Sequence, residues 1–230
     1  MSFALIDPNS TASMTGAALA AARRAAPGAR FEGWTSRDGP TVIEGPEYGA
    51  ACIPPLLKLV DRASELEAEA IIIACFDDTG LREARARATC PVIGIGQAAF
   101  HAAALIVDRA MVLTTVSAAV PVIEANTRAA GLSHVVGTVR ASGIRVADLE
   151  RDPEAAIPVL KSGIGHAVTE GAGAVILGCA GMVGVIGPLR RLSQIPLIDC
   201  VAAAARLAQA CVPIATVREV PQMAEGDFNQ

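Results

Sequence analysis

Aromatic residues make up only 3% of the 230 positions, too few for a surface that stacks nucleic-acid bases. The formal net charge of −4 gives no attraction toward a polyanion, so no nucleic-acid partner is expected. The six cysteines (Cys52, Cys75, Cys90, Cys179, Cys200 and Cys211) form no Cys-x-x-Cys pair and have no histidine beside them at ligand-like spacing, which excludes the usual zinc patterns. The first residues lack a basic segment followed by a long apolar run. No export signal is read there, and the cytoplasm is the expected compartment. In that reducing setting disulfides are not expected, and a cysteine is by default a small buried hydrophobe. Two charge-free stretches, 88–107 and 171–189, reach the length of a membrane span, but Gly and Pro interrupt both. Each reads as a strand, a turn and a helix start, so no membrane partner is expected.

Hydrophobic residues, many of them alanine, account for 52% of the chain, ample for a buried core. Short apolar runs at 3–6, 30–34, 71–74, 92–95, 111–115, 134–139, 174–178 and 197–198 alternate with stretches of helical pattern. Those stretches cover 11–26, 47–69, 97–107, 118–130, 153–170 and 201–210, with Pro54, Pro55 and Pro158 as possible breaks or kinks. The alternation predicts an α/β fold with parallel sheets.

The last four strands repeat the first four. Ile71–Cys75 aligns with Val175–Cys179, and Pro91–Gly94 aligns with Pro196–Asp199. From cysteine to proline the two copies count 16 and 17 positions. A two-copy duplication implies two pseudo-symmetric lobes, each a four-stranded parallel sheet flanked by helices. Open α/β sheets bind ligands at the carboxyl ends of their strands, so the active site is expected between the lobes. Each copy ends its third strand in a cysteine before a turn and a helix. A cysteine that only packs has no reason to recur at both strand ends, which singles out Cys75 and Cys179; Cys52, Cys90, Cys200 and Cys211 are assigned to the core.

These residues resemble the aspartate/glutamate racemase superfamily, and within it most closely the hydantoin racemases. The resemblance runs over nearly the whole chain. It is carried by Ile6 to Ser10, where Asp7 replaces the usual Asn; by Gly39-Pro40 and Ile43 to Gly45; by Ala74 to Asp78, Pro91 to Gly96 and Ala98 to Ala103; and by Leu177 to Met182. Thr114-Thr115 and Arg140 to Ser142 fall where the family has similar strand-end residues. The resemblance implies two lobes with a crossed-over C-terminal segment, here 1–98 plus 212–230 and 99–211. It also implies no cofactor or metal, and two cysteines that interconvert enantiomers. The superfamily's amino-acid racemases follow their cysteines with Asn-Thr and Thr, whereas Phe76-Asp77 and Ala180-Gly181 stand here. That departure favours a neutral or weakly acidic ring, a 5-substituted hydantoin, as the small-molecule substrate.

Inverting a carbon needs a base on one face and an acid on the other. A thiolate and a thiol, Cys75 and Cys179, meet that need, with backbone N–H groups after each cysteine stabilising the enolate oxygen. Cys179, followed by small residues, is favoured as the resting thiolate, because Asp77 and Asp78 would oppose ionisation of Cys75 if they face it.

The residues expected to line the substrate site are Asn9, Pro40, Ile43, Phe76, Asp77, Thr114, Thr115, Gly178, Ala180 and Gly181. Asn9 caps the helix near Thr11 or faces a ligand. Asp77 or Asp78 reads as a helix cap, Glu44 as part of a surface loop, Gly94 and Gly96 as a tight turn, and His101 as packed on a helix face. A homo-oligomer is expected. Allantoin racemisation is the alternative substrate reading. Aspartate or glutamate racemisation, an enolate-protonating decarboxylase and a two-lobe binding protein are more distant ones.

Overall fold

Within each expected strand, alternate residues point to opposite faces, and the computed structural model, which describes residues 2–215, buries both faces of the inner strands 2–7, 70–73, 110–114 and 174–178. Sheet A holds β1 (Ser2–Asp7), β2 (Arg30–Thr35), β3 (Ala70–Ile73) and β4 (Val92–Gly94) in the order β2-β1-β3-β4, all parallel. Sheet B holds β5 (Ala110–Thr114), β6 (Val136–Ala141), β7 (Ala174–Gly178) and β8 (Leu197–Asp199) in the order β6-β5-β7-β8, again parallel. The second order repeats the first, as a duplication requires.

Nine α-helices connect these strands in the described residues: α1 (Ala12–Ala25), α2 (Pro46–Glu65), α3 (Leu81–Arg87), α4 (Ile95–Ala104), α5 (Val120–Ala129), α6 (Val146–Arg151), α7 (Pro153–Thr169), α8 (Ile186–Leu192) and α9 (Cys200–Ala215). Short 3₁₀ turns at Ser117–Ala119 and Ala180–Gly184 precede α5 and α8. Helices α3, α6 and α8 were not expected; each has only six or seven residues, too short for a clear 3.6-residue period. Pro54, Pro55 and Pro158 do not break α2 or α7, which run through them. Of the 212–230 segment, residues from 216 on lie outside those described.

The alternation sorts the strand residues into layers. Phe3 and Leu5 of β1, Ala70 and Ile72 of β3, Ala110 and Val112 of β5, and Ala174 and Ile176 of β7 join one continuous core. Ala98, Ala99 and Ala103 of α4 and Ala204, Ala205 and Ala208 of α9 complete it. Helices α4 and α9 pack on each other, and between them they touch strands of both sheets. Alanine at these positions lets helices and sheets approach closely, so the shared layer fixes how one lobe sits on the other. The opposite strand faces are covered separately. Ala4, Ile6, Ile71 and Ile73 lie with Leu56 and Val60 of α2, whereas Met111, Leu113, Val175 and Leu177 lie with Leu160 and Ile164 of α7.

Gly94 and Gly96 are required for a reason other than the expected tight turn. Neither has a positive φ; Gly94 is extended at φ −86°. What they allow is close approach, because a Cβ on Gly96 would lie 2.2 Å from the Phe76 carbonyl oxygen and one on Gly94 would lie 2.0 Å from Asp78 Oδ1. The loop after β3 therefore rests directly on the start of α4. Gly96→Ala should push that loop away and destabilise the fold by about 1–3 kcal/mol. Urea unfolding of wild type and variant measures this, and an unchanged midpoint would refute it.

Candidate active site

The carboxyl ends of β1, β3, β5 and β7 all open onto one cleft of about 420 Å³, including its part open to solvent. Cys75 stands two residues beyond β3 and Cys179 directly beyond β7, and both line this cleft. Of the residues read as substrate-binding, Asn9, Ile43, Phe76, Asp77, Thr114, Thr115, Gly178 and Ala180 line it as well. Met14, Ala74, Ala119 and Val146 complete the wall. These four are apolar and lack any chemical signature, which is why sequence reasoning missed them.

Pro40 and Gly181 are not part of the lining. The Pro40 carbonyl accepts the Ser10 N–H at 2.8 Å, so it anchors the 36–45 loop beside Asn9. Gly181 instead serves the sulfur, its N–H donating to Cys179 and lowering that thiol's pKa. The Asp77 N–H does the same for Cys75. In both copies the donor comes from two residues beyond the cysteine, which is the duplication expressed in hydrogen bonds.

Those donors are outweighed by burial. Burial pushes the Cys179 thiol up to about 12, with the charges of Asp77, Asp7 and Glu44 adding to the rise. It holds Cys75 well above the ordinary thiol value, with Asp77 next in effect and the Thr79 hydroxyl, 3.6 Å away, opposing it. Asp77 itself is raised by burial to about 6. At neutral pH its charge therefore disfavours either thiolate, whereas the expectation assigned that effect to Cys75. Asp78 faces elsewhere: its carboxylate accepts the N–H groups of Gly96 and Gln97 at 3.0 and 2.6 Å and caps α4.

Several supporting residues tie the lobes together around the cleft. The Asn126 amide of α5 donates to the Asp77 carbonyl at 2.7 Å, reaching from the second lobe to the Cys75 loop. Glu44 is not on an open surface loop; its carboxylate accepts the Val146 N–H at 2.6 Å and faces Arg145 at 3.8 Å. That contact brings Ile43 and Val146 together across the mouth. Thr114 donates to the Gly178 carbonyl at 3.0 Å, joining the ends of β5 and β7. His101 is exposed, with its Nδ1 2.8 Å from the Gln97 carbonyl, rather than packed. Of the cysteines assigned to the core, Cys52 and Cys200 are buried, Cys90 is half-buried and Cys211 is exposed.

No described group of three or more His, Cys, Asp and Glu residues is placed to hold a metal. No described helix is long and apolar enough to cross a membrane.

The two parallel-sheet lobes repeat one strand order, and a cysteine just beyond the third strand of each lines the same cleft. A model of the family described as Asp/Glu/Hydantoin racemase matches residues 4–208, and the chain belongs to that family. It is 40% identical over 208 residues to a hydantoin racemase of Rhizobium meliloti, covering 90% of this chain and 86% of that protein. It is 31% identical to the hydantoin racemase of Paenarthrobacter aurescens, over 93% and 92% of the two chains. Among solved structures, an allantoin racemase from Klebsiella pneumoniae superposes with a TM-score of 0.89 at 30% identity, over 93% of this chain and 88% of that one. A glutamate racemase from Francisella tularensis, at 14% identity and a TM-score of 0.69, shares the fold.

The raised thiol values predict how the free enzyme reacts with alkylating agents. Below its pKa a thiol gains ten times more thiolate per pH unit, and only the thiolate is nucleophilic. Labelling of Cys179 by iodoacetamide should therefore keep rising about tenfold per unit from pH 7 to 10. Mass spectrometry of the Cys179 peptide follows the rate. A rate that levels off before pH 10 would show an ordinary or lowered pKa instead.

Proposed function

We propose that this enzyme racemises 5-substituted hydantoins at C5, without a cofactor, by proton transfer through Cys75 and Cys179. One observation carries the reading: two cysteines at equivalent strand ends of a duplicated fold open into one cleft, and none of its described lining residues is Lys, Arg or His. A free amino acid would bring a carboxylate beside Asp77 with no cation to meet it. A neutral ring avoids that repulsion.

The mechanism follows from the chemistry of the two thiols. One cysteine, as thiolate, takes the C5 proton and becomes a thiol. The C–H electron pair enters a C5–C4 double bond, and the carbonyl pair moves onto oxygen. The other thiol then returns a proton to the opposite face of C5 and becomes the thiolate, so no net oxidation occurs. A buried thiol is seldom ionised, but once ionised it is a stronger base than an ordinary thiolate, which suits a weak carbon acid. The chemistry requires nothing beyond proton transfer and donors for the enolate oxygen.

Met14, Ile43, Ala119 and Val146 supply an apolar wall, which supports a hydrocarbon 5-substituent. Allantoin is the second reading, supported by the likeness to an allantoin racemase; its ureido group would need polar partners along that wall. A homo-oligomeric, cytoplasmic enzyme belongs to the same reading. The exposed, adjacent Leu105 and Ile106 offer apolar surface that another copy could cover, and light scattering measures the state.

Polarimetry on single enantiomers of alkyl hydantoins, allantoin and aspartate tests the substrate. Cys75→Ala and Cys179→Ala should each abolish racemisation, whereas Cys90→Ala should not. The serine variants are more informative. Each keeps one thiol and should exchange the C5 hydrogen of a single enantiomer with D₂O without inverting it, and Cys75→Ser and Cys179→Ser should select opposite enantiomers. NMR reads the exchange and chiral chromatography the inversion. Equal exchange of both enantiomers by both variants would sink the opposed-face scheme.

A further inference from the structure

The strand end of β1 carries a hydrogen-bonded chain that the two thiols do not explain. Asp7 is fully buried and outside the cleft lining, whereas Asn9 is 5% exposed and within it. The Asn9 Nδ2 group donates to Asp7 Oδ1 at 2.6 Å, and the Asn9 Oδ1 accepts the Thr11 N–H at 2.8 Å. Asp7 Oδ1 also faces the Asn9 backbone N–H at 3.3 Å, and its Oδ2 faces the Thr15 hydroxyl at 3.4 Å. Thr35 in turn donates to Thr15 at 2.8 Å.

These contacts fix which end of the Asn9 amide is which. A flipped amide would set its NH₂ against the Thr11 N–H, a donor facing a donor, whatever the protonation of Asp7, whose carboxyl burial raises to about 7. A primary amide has two N–H groups. One is held by Asp7. The other has only the Met14 sulfur, 3.8 Å from the nitrogen, a weak acceptor that a ligand oxygen would displace. Asn9 thus has one N–H left for a ligand in the cleft that it lines.

We infer that the second N–H of Asn9 donates to the ring oxygen that gains charge when C5 loses its proton, and that Asp7 is the positioning residue that aims it. The inference rests on the racemase reading above. It names a side-chain donor for the enolate oxygen in addition to the backbone N–H groups. A donor aimed in advance at a developing oxyanion lowers the barrier more than it tightens the ground state. Asp7 contributes as an acceptor, for which a neutral carbonyl oxygen can substitute.

The test compares kcat and KM for racemisation of a 5-alkyl hydantoin. Asn9→Ala should lower kcat by about 10²–10³-fold with little change in KM. Asn9→Ser, which keeps an acceptor for the Thr11 N–H, guards against a folding defect and should lose kcat similarly. Asp7→Ala should lower kcat by about tenfold or more, and Asp7→Asn should recover most of that loss. Adding Asp7→Ala to Asn9→Ala should change nothing further, because Asp7 acts through Asn9. A folded Asn9→Ser enzyme with kcat within threefold of wild type would overturn the donor assignment alone. An Asp7→Asn variant as impaired as Asp7→Ala would overturn the positioning role, since the charge itself would then matter. Wild type inactive on every hydantoin would overturn the proposed function and this assignment together.

Discussion

The alanine layer built by α4 and α9 is the constraint on which the site depends. Each helix lies against strands of both lobes, and its small side chains hold helix and sheet at short range. Because the layer joins one face of sheet A to one face of sheet B, it sets how the carboxyl ends of β3 and β7 meet. Two thiols on opposite lobes can serve a single carbon only if that relation is rigid. The lack of side chains at Gly94 and Gly96 belongs to the same arrangement, since it lets the Cys75 loop rest on the first turn of α4.

Closure of this cleft has a chemical consequence that the sequence does not state. Both cysteines are half-buried in the cleft wall, burial outweighs the N–H donors of Asp77 and Gly181, and Asp77 adds a nearby charge. Both thiols are therefore held above their ordinary pKa, against the expectation of a resting thiolate at Cys179. Its described lining holds no Lys, Arg or His. The inter-lobe contacts of Asn126 with Asp77 and of Glu44 with Val146 add polar ties across the cleft. They keep loops in place that the apolar layer does not reach.

Legibility differed residue by residue for physical reasons. Cys75 and Cys179 could be picked out because duplication repeats them in register, which a packing role does not require. Thr114, Thr115, Phe76 and Asp77 follow strand ends, and strand ends converge in this class of fold. Met14, Ala119 and Val146 carry no signal, since an apolar residue facing a cleft reads the same as one facing a core. Glu44 looked like a surface residue because its partner, the Val146 N–H, lies 102 positions away. The short helices α3, α6 and α8 were hidden because one or two turns cannot establish a period.

The sequence by itself determined the α/β class, the eight strands, the duplication and the pair of strand-end cysteines, because periodicity and internal repetition are properties of residue order. The tertiary structure alone decided that Pro40 and Gly181 stand outside the lining, and that of Asp77 and Asp78 it is Asp78 that caps α4. It also decided that the Asn9 amide is held between Asp7 and the Thr11 N–H, and that burial raises both thiols. Each of these depends on which groups from distant segments share a volume from which water is excluded, and residue order does not encode that until the lobes are packed.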